Sequence, residues 1–245
     1  MSMFYVKSDQ IAGEEANIIG EDVKHIWDVL RYKINDELNI CNENGEKFIT
    51  QIIDFSKEQV RLKVLRKCDE TSEPSIKITL FQGMPKADKL EMIIQKCTEL
   101  GVSEIVPVIT ERVIVKLEEK NVPKKVERWN RIALEASKQS GRQLIPNVKN
   151  PVNIKNIVEN ISKYDILILP YECEREKTLK DVIKNIDKDY KNIAVFIGPE
   201  GGFSEDEISM LNFENVKYVS LGKRILRTET AGMATIAMIL YELDM

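Results

Sequence analysis

Val195-Phe196-Ile197-Gly198-Pro199-Glu200-Gly201-Gly202-Phe203-Ser204-Glu205-Asp206-Glu207-Ile208 passes from an apolar run through a glycine-rich turn into a helix. The short apolar run ending at a turn is the pattern of a strand buried on both faces. Ser204 and Glu207, three positions apart ahead of an apolar residue, form a capping box that opens the helix. Carboxyl ends of strands in open α/β sheets are where ligands bind, and glycines there let backbone N–H and C=O groups come close to them. The spacing is neither GxGxxG nor GxxxxGK[ST], which counts against a dinucleotide site and against an ATPase phosphate loop. Glu200 between glycines, with no lysine for phosphates, suits a ligand with adenine and a cationic centre better than a polyphosphate. The competing reading is an ordinary tight strand–helix connection.

A second stretch repeats the arrangement: Ser220-Leu221-Gly222-Lys223-Arg224-Ile225-Leu226-Arg227-Thr228-Glu229-Thr230-Ala231-Gly232-Met233-Ala234. A strand ends in a glycine, a basic and partly apolar loop follows, and a helix rich in small residues begins. Alone, that helix reads as a packing surface. Two such loops at successive strand ends point to a binding site.

Outward from these loops, residues 73–245 alternate strands with helices. Strands are expected at Ile76–Gln82, Ile105–Ile109, Asp165–Leu169, Asn192–Ile197 and Lys217–Leu221, and helices at Lys89–Leu100, Lys125–Gln139, Leu179–Asn185, Glu205–Leu211 and Glu229–Leu243. Leu90, Ile93, Ile94, Cys97 and Leu100 share one helix face, and Gly101 is placed to end that helix. The expectation is an α/β domain with a parallel sheet covered on both faces. Residues 1–72 read as a small β-rich domain with strands at Phe4–Val6, Glu37–Cys41, Lys47–Asp54 and Gln59–Leu65 and one helix at Asp22–Tyr32. A polar linker, Asp69–Pro74, separates the two.

With 43% hydrophobic and 31% charged residues, 245 residues can bury a substantial core and remain soluble. No apolar run reaches the length of a membrane span, and the first ten residues lack a signal-peptide pattern. Four scattered cysteines without a CxxC pair, and a single histidine, argue against a disulfide framework or a metal site and fit a reducing, cytoplasmic setting. A net charge of −4 weighs mildly against nucleic acid, but phosphate binding depends on local basic surface.

The two glycine loops together resemble the C-terminal motifs of the SPOUT superfamily, and within it the 16S ribosomal RNA (uracil-N3) methyltransferase family. The GPEGG element at 198–202 is shared with related ribose 2′-O methyltransferases, whereas its combination with LGxRILRxETA at 221–231 is specific to the family. His25–Arg31 resembles the family's HxxxVLR element, Lys96–Gly101 its KxxELG element and Glu135–Arg142 its EAxxQSGR element. The chain departs from the pattern in lacking an arginine before the first strand and in carrying Val113 after Arg112 where a serine is usual.

The resemblance implies a PUA-like N-terminal domain that helps hold RNA, a C-terminal domain with a deep trefoil knot, and a homodimer that completes the site. It implies S-adenosylmethionine as cofactor, no metal and no membrane, and small-subunit ribosomal RNA or the assembled 30S subunit as substrate. Gly198, Glu200, Gly202, Leu221, Gly222, Ile225, Leu226 and Thr230 are carried over as cofactor contacts. Arg227 is the expected catalytic cation, with Arg224 beside it for a uracil oxygen or a phosphate. N3 of uracil carries an imide proton, and Glu200 or Glu229 is the expected acceptor, without a choice between them. Glu229 reads equally well as an acid favoured by a helix N-terminus. Because pairing engages N3, the uridine must be unpaired or extruded. His25, Arg31, Lys86, Arg112, Arg142 and Arg224 are expected at RNA. The competing functions are a ribose 2′-O methyltransferase, a non-catalytic RNA-binding assembly factor and a small-molecule methyltransferase.

Overall fold

The computed structural model describes residues 3–86, 88–113, 118–187 and 189–244. The chain forms two compact units, one of residues 1–73 and 137–144, the other of 74–136 and 145–245.

In the first unit the described residues give six strands: β1 (Met3–Tyr5), β2 (Ile11–Ala12), β3 (Glu15–Ile19), β4 (Glu37–Cys41), β5 (Lys47–Phe55) and β6 (Gln59–Cys68). They lie in the order β1-β4-β5-β6-β3-β2, antiparallel except for β1 beside β4. Alternation along the strands puts Phe4, Ile18, Leu38, Ile40, Ile52 and Leu62 into one core. β3 was not anticipated; its inward residues are only Ala16 and Ile18, in a polar stretch.

The helix expected over Asp22–Tyr32 is a single turn, α1 (Glu21–Lys24), that widens into a π turn over His25–Val29. Arg31 at φ +54° then breaks it. Val23 and Ile26 bury, but Val29, counted on the same face by helical spacing, stays 64% exposed because the π turn rotates it away.

Residues 137–144 join this unit through hydrogen bonds. Tyr5 Oη donates to the Arg142 carbonyl at 2.6 Å and Cys41 Sγ to the Gln143 carbonyl at 3.1 Å. The Glu73 carboxylate accepts from the Gln143 and Leu144 backbone N–H groups and pairs with the Arg142 guanidinium. Arg142, whose guanidinium is expected at RNA, is 4% exposed and pairs with Glu73 inside the unit. Burial keeps the neighbouring Cys41 thiol protonated, its pKa pushed up to about 12.

The second unit contains β7 (Lys77–Gly83), β8 (Glu104–Ile109), β9 (Asn147–Val148), β10 (Val152–Asn153), β11 (Ile166–Pro170), β12 (Asn192–Ile197) and β13 (Val216–Val219). Its helices are α2 (Lys89–Leu100), α3 (Val122–Ser140, the last turn counted with the first unit), α4 (Ile154–Asn160), α5 (Leu179–Lys184), α6 (Glu205–Met210) and α7 (Thr228–Leu243). The sheet order is β10-β8-β7-β12-β11-β13, with β9 also beside β8, and every pairing is parallel.

The apolar runs of the central strands fill both faces. Ile193, Val195 and Ile197 of β12, with Ile166 and Ile168 of β11, join one core with α2, α3, α5 and α7. Ala194 and Phe196, with Leu167 and Leu169, join a second core under α4. The α/β expectation with a parallel, doubly covered sheet holds. α4 is not expected from the sequence, since its one turn of apolar spacing, Ile154 and Ile157, is too short to stand out.

Candidate functional site

The connection after β7 leads to β8 on one side of β7, and the connection after β12 leads toward β13 on the other side of β12. Since β7 and β12 are neighbours, their carboxyl ends form a topological switch point, where connections diverge and leave a crevice. The glycine turn occupies that place. A Cβ on Gly83 would stand 2.6 Å from both Cδ and N of Pro199, so the end of β7 and the turn after β12 approach as closely as they do only because residue 83 is glycine.

The turn itself is fixed from several sides. Gly202, at φ +67°, donates its N–H to the Pro199 carbonyl at 3.0 Å. The Phe203 ring packs against Gly198, where a Cβ would meet it at 3.0 Å, and stacks edge-on against Phe196. Ser204 caps α6 as its spacing predicted, accepting from the Glu207 N–H. The buried Glu207 carboxylate accepts from Ser204 N at 2.9 Å and reaches the loop after β8 by accepting from Glu111 N at 2.8 Å. In the same loop Arg112 Nη1 donates to the Gly201 carbonyl at 3.2 Å.

The second motif loop is tied to the first. Gln82 Nε2 donates to Thr228 Oγ1 at 2.9 Å, and Thr228 Oγ1 donates to the Gly198 carbonyl at 2.6 Å. This chain sets the start of α7 against the first glycine of the turn.

Between the two loops lies a cleft of about 390 Å³, within the usual range for small-ligand sites. Gly198, Glu200, Gly202, Leu221, Gly222, Ile225 and Leu226 line it, with Arg224 and Arg227. Ile225 is 86% exposed at its edge. Thr230 lies on the exposed side of α7, outside the lining, and Glu229 is buried at the start of that helix. Lys86 meets Glu200 through its backbone N–H, at 3.2 and 3.3 Å from the two carboxylate oxygens. His25 and Arg31 belong to the first unit.

Three parts of the lining were not anticipated. The loop after β11 contributes Tyr171, Glu172 and Arg175; its strand was expected, and the rule that ligands sit at strand carboxyl ends would have included it. Lys223 is the second. The third is Lys89, whose ammonium is 2.9 Å from Glu200 Oε1 and 3.3 Å from Glu229 Oε2. Burial works to raise the Glu200 pKa, but Lys89, the residue's own N–H and that of Lys86 outweigh it and hold the carboxyl below the ordinary glutamate range. Lys89 is in turn held above the ordinary lysine range, by Glu200 foremost.

A family model of the RNA methyltransferase domain matches residues 71–240, and a model of the RNA methyltransferase PUA domain matches residues 18–65. The chain is 33% identical over 252 residues to the ribosomal RNA small subunit methyltransferase E of Bacillus subtilis, covering all of this chain and 98% of that one. The Aquifex aeolicus protein of the same name is 31% identical over 241 residues, covering 98% and 99%. Among solved structures, ribosomal RNA small subunit methyltransferase E from Neisseria gonorrhoeae bound to S-adenosyl methionine matches with a TM-score of 0.86 at 30% identity, over 98% of this chain and 97% of that one.

Proposed function

Because the chain belongs to the ribosomal RNA small subunit methyltransferase E family, we propose that it transfers a methyl group from S-adenosylmethionine to N3 of a uridine in 16S ribosomal RNA, in the cytoplasm. The observation that carries this reading is the cleft at the β7–β12 switch point, walled by both motif loops.

The residues present fit the cofactor. Glycines at 198, 202 and 222 leave backbone polar groups open to an adenosine, and positive φ at Gly202 and Gly222 excludes most side chains there. Glu172 on the lining suits a ligand carrying positive charge, Glu200 being paired with Lys89. When bound, S-adenosylmethionine supplies a methyl group already activated by its sulfonium centre.

The chain's own residues then have two tasks, alignment of the uracil and management of its charge. Arg227 and Arg224 line the cleft and, among the described residues, enter no ion pair, so both are free to meet charge developing on the uracil oxygens or a flanking phosphate. Glu200 and Glu229 are the two acids held at the site, both beside the Lys89 ammonium. Gly198, Gly202, Leu221, Gly222, Ile225 and Leu226 are assigned to the cofactor, with Thr230 next to them on α7. His25, Arg31, Lys86 and Arg112 are assigned to RNA.

The finer architecture belongs to the same proposal. It comprises a PUA-like RNA-holding domain over 1–72 and a SPOUT domain over 73–245 whose C-terminal segment is knotted. A homodimer completes the site.

The test is methyl transfer from labelled S-adenosylmethionine to small ribosomal subunits lacking the modification, read by nucleoside mass spectrometry. 3-Methyluridine is the expected product. A 2′-O-methylated nucleoside would refute the assignment.

A further inference from the structure

Lys89 opens α2 at the carboxyl end of β7, and its ammonium lies between carboxylates from two distant segments: Glu200 in the turn after β12 and Glu229 in the first turn of α7. Glu229 is 8% exposed, and the Lys89 ammonium at 3.3 Å meets the charge of its Oε2. One side chain thus joins both walls of the cleft.

Resting on the methyl-transfer reading above, we propose that Lys89 is a positioning residue that engages both carboxylates, so that the N3 proton leaves to solvent hydroxide rather than to Glu200 or Glu229. In that step the N3–H bond breaks with its electron pair left on nitrogen. The proton combines with hydroxide to give water, and the imide anion carries the lone pair that attacks.

The geometry favours this over a carboxylate base. A base working near neutral pH needs a pKa close to the operating pH, which burial alone gives a carboxylate. Here burial is overridden: Lys89 Nζ, Lys86 N–H and the Glu200 backbone all favour the ionised form. Around the pair, the cleft lining carries the cations Arg175, Lys223, Arg224 and Arg227 and one further acid, Glu172, beside Gly202; Arg112 sits on the Gly201 carbonyl, and Asp88 adjoins Lys89. The cations stabilise an imide anion; a glutamate already held as a carboxylate by a lysine has little affinity for its proton.

The experiment has two arms. The first is single-turnover transfer to unmodified small subunits between pH 5.5 and 9.5. The wild-type logarithm of rate rises with unit slope through neutrality toward the ionisation of the base itself. Lys89→Met slows transfer roughly 100-fold, because the two walls that Lys89 joins lose their alignment, and its profile turns flat above an acid inflection because a carboxylate is now free. Lys89→Arg, which keeps the cation, restores most of the rate. A wild-type profile that plateaus above an acid inflection, or a Lys89→Met enzyme with the wild-type rate and profile, overturns the proposal.

The second arm needs no catalysis. Carbon-13 NMR titration of labelled glutamate, with Glu200 assigned through Glu200→Gln, shows Glu200 titrating below the ordinary range in the wild type and moving up in Lys89→Met. An unmoved Glu200 overturns the ion cluster. A shift as predicted with no methylated RNA would instead leave the cluster standing and defeat the methyl-transfer reading.

Discussion

Replacing Gly83 with alanine adds one methyl group outside the cleft and should nonetheless disable it. The new Cβ would lie 2.6 Å from Pro199 Cδ, 2.6 Å from Pro199 N and 2.9 Å from the Gly198 carbonyl carbon, where ordinary contact begins at 3.4 Å. These atoms are backbone and ring, not the end of a flexible side chain, so the turn must retreat from β7 by about 0.8 Å. Overpacking of this kind costs about 1–3 kcal/mol. A displacement approaching 1 Å in a catalytic constellation can lower the rate by about 10²-fold. We expect Gly83→Ala to fold, to melt a few degrees lower, and to lose cofactor affinity by calorimetry together with most of its methyl-transfer rate. Gly13→Ala is the control: Gly13 sits at φ +62° in the first unit, and among the described residues nothing beyond its chain neighbours lies within 4 Å of its Cβ position. It should lose about 1–2 kcal/mol through the left-handed backbone alone, with cofactor affinity unchanged. A Gly83→Ala enzyme with wild-type affinity and turnover would refute the close approach of β7 and the turn as the device that shapes the site.

Arg142→Met strands the Glu73 carboxylate with 12% of its side chain exposed, and should cost about 3–5 kcal/mol in denaturant unfolding, with partial recovery in the Glu73→Gln double variant; an unaffected midpoint would show the pair to be dispensable. Thr228→Val removes the donor to the Gly198 carbonyl, a loss of about 1–3 kcal/mol that calorimetry should register as weakened cofactor binding, and unaltered binding would contradict the tie between the loops. Glu200, with its pKa depressed in the folded state, contributes stability that is present above the unfolded glutamate value of about 4.3 and lost as pH falls through the lower folded value. The melting difference between wild type and Glu200→Gln should therefore hold steady from pH 8 to 6 and shrink below about pH 4; a difference that persists at the lowest pH at which the protein folds would rule the linkage out.

The parts of this protein that were legible in its sequence are those where chemistry is local. The apolar run of β12, the capping box at Ser204 and the glycines of both loops act over a few residues, and their positions follow from spacing alone. The parts that were not legible depend on partners far along the chain. Lys89 looks like the exposed first residue of an amphipathic helix until the fold brings Glu200 to it across 111 positions. Arg142 looks like a surface cation until Glu73, 69 positions earlier, meets it in a buried pair. The helix at Asp22–Tyr32 failed for a different reason: Val23, Ile26, Val29 and Leu30 satisfy helical spacing, but the π turn and the left-handed Arg31 divert the last two from the core. The loop after β11 carries no glycine, so nothing in its composition marks it, and only the parallel order of the sheet places it at the cleft.

The central claim is that the methyl donor sits between the turns at 198–203 and 221–228, and a crystal structure of this protein grown with S-adenosylmethionine tests it most directly. Density for the whole cofactor is expected in that cleft, with the adenosine against the backbone of Gly198–Gly202 and Leu221–Gly222. Density at any other place on the chain, with this cleft empty, would contradict it.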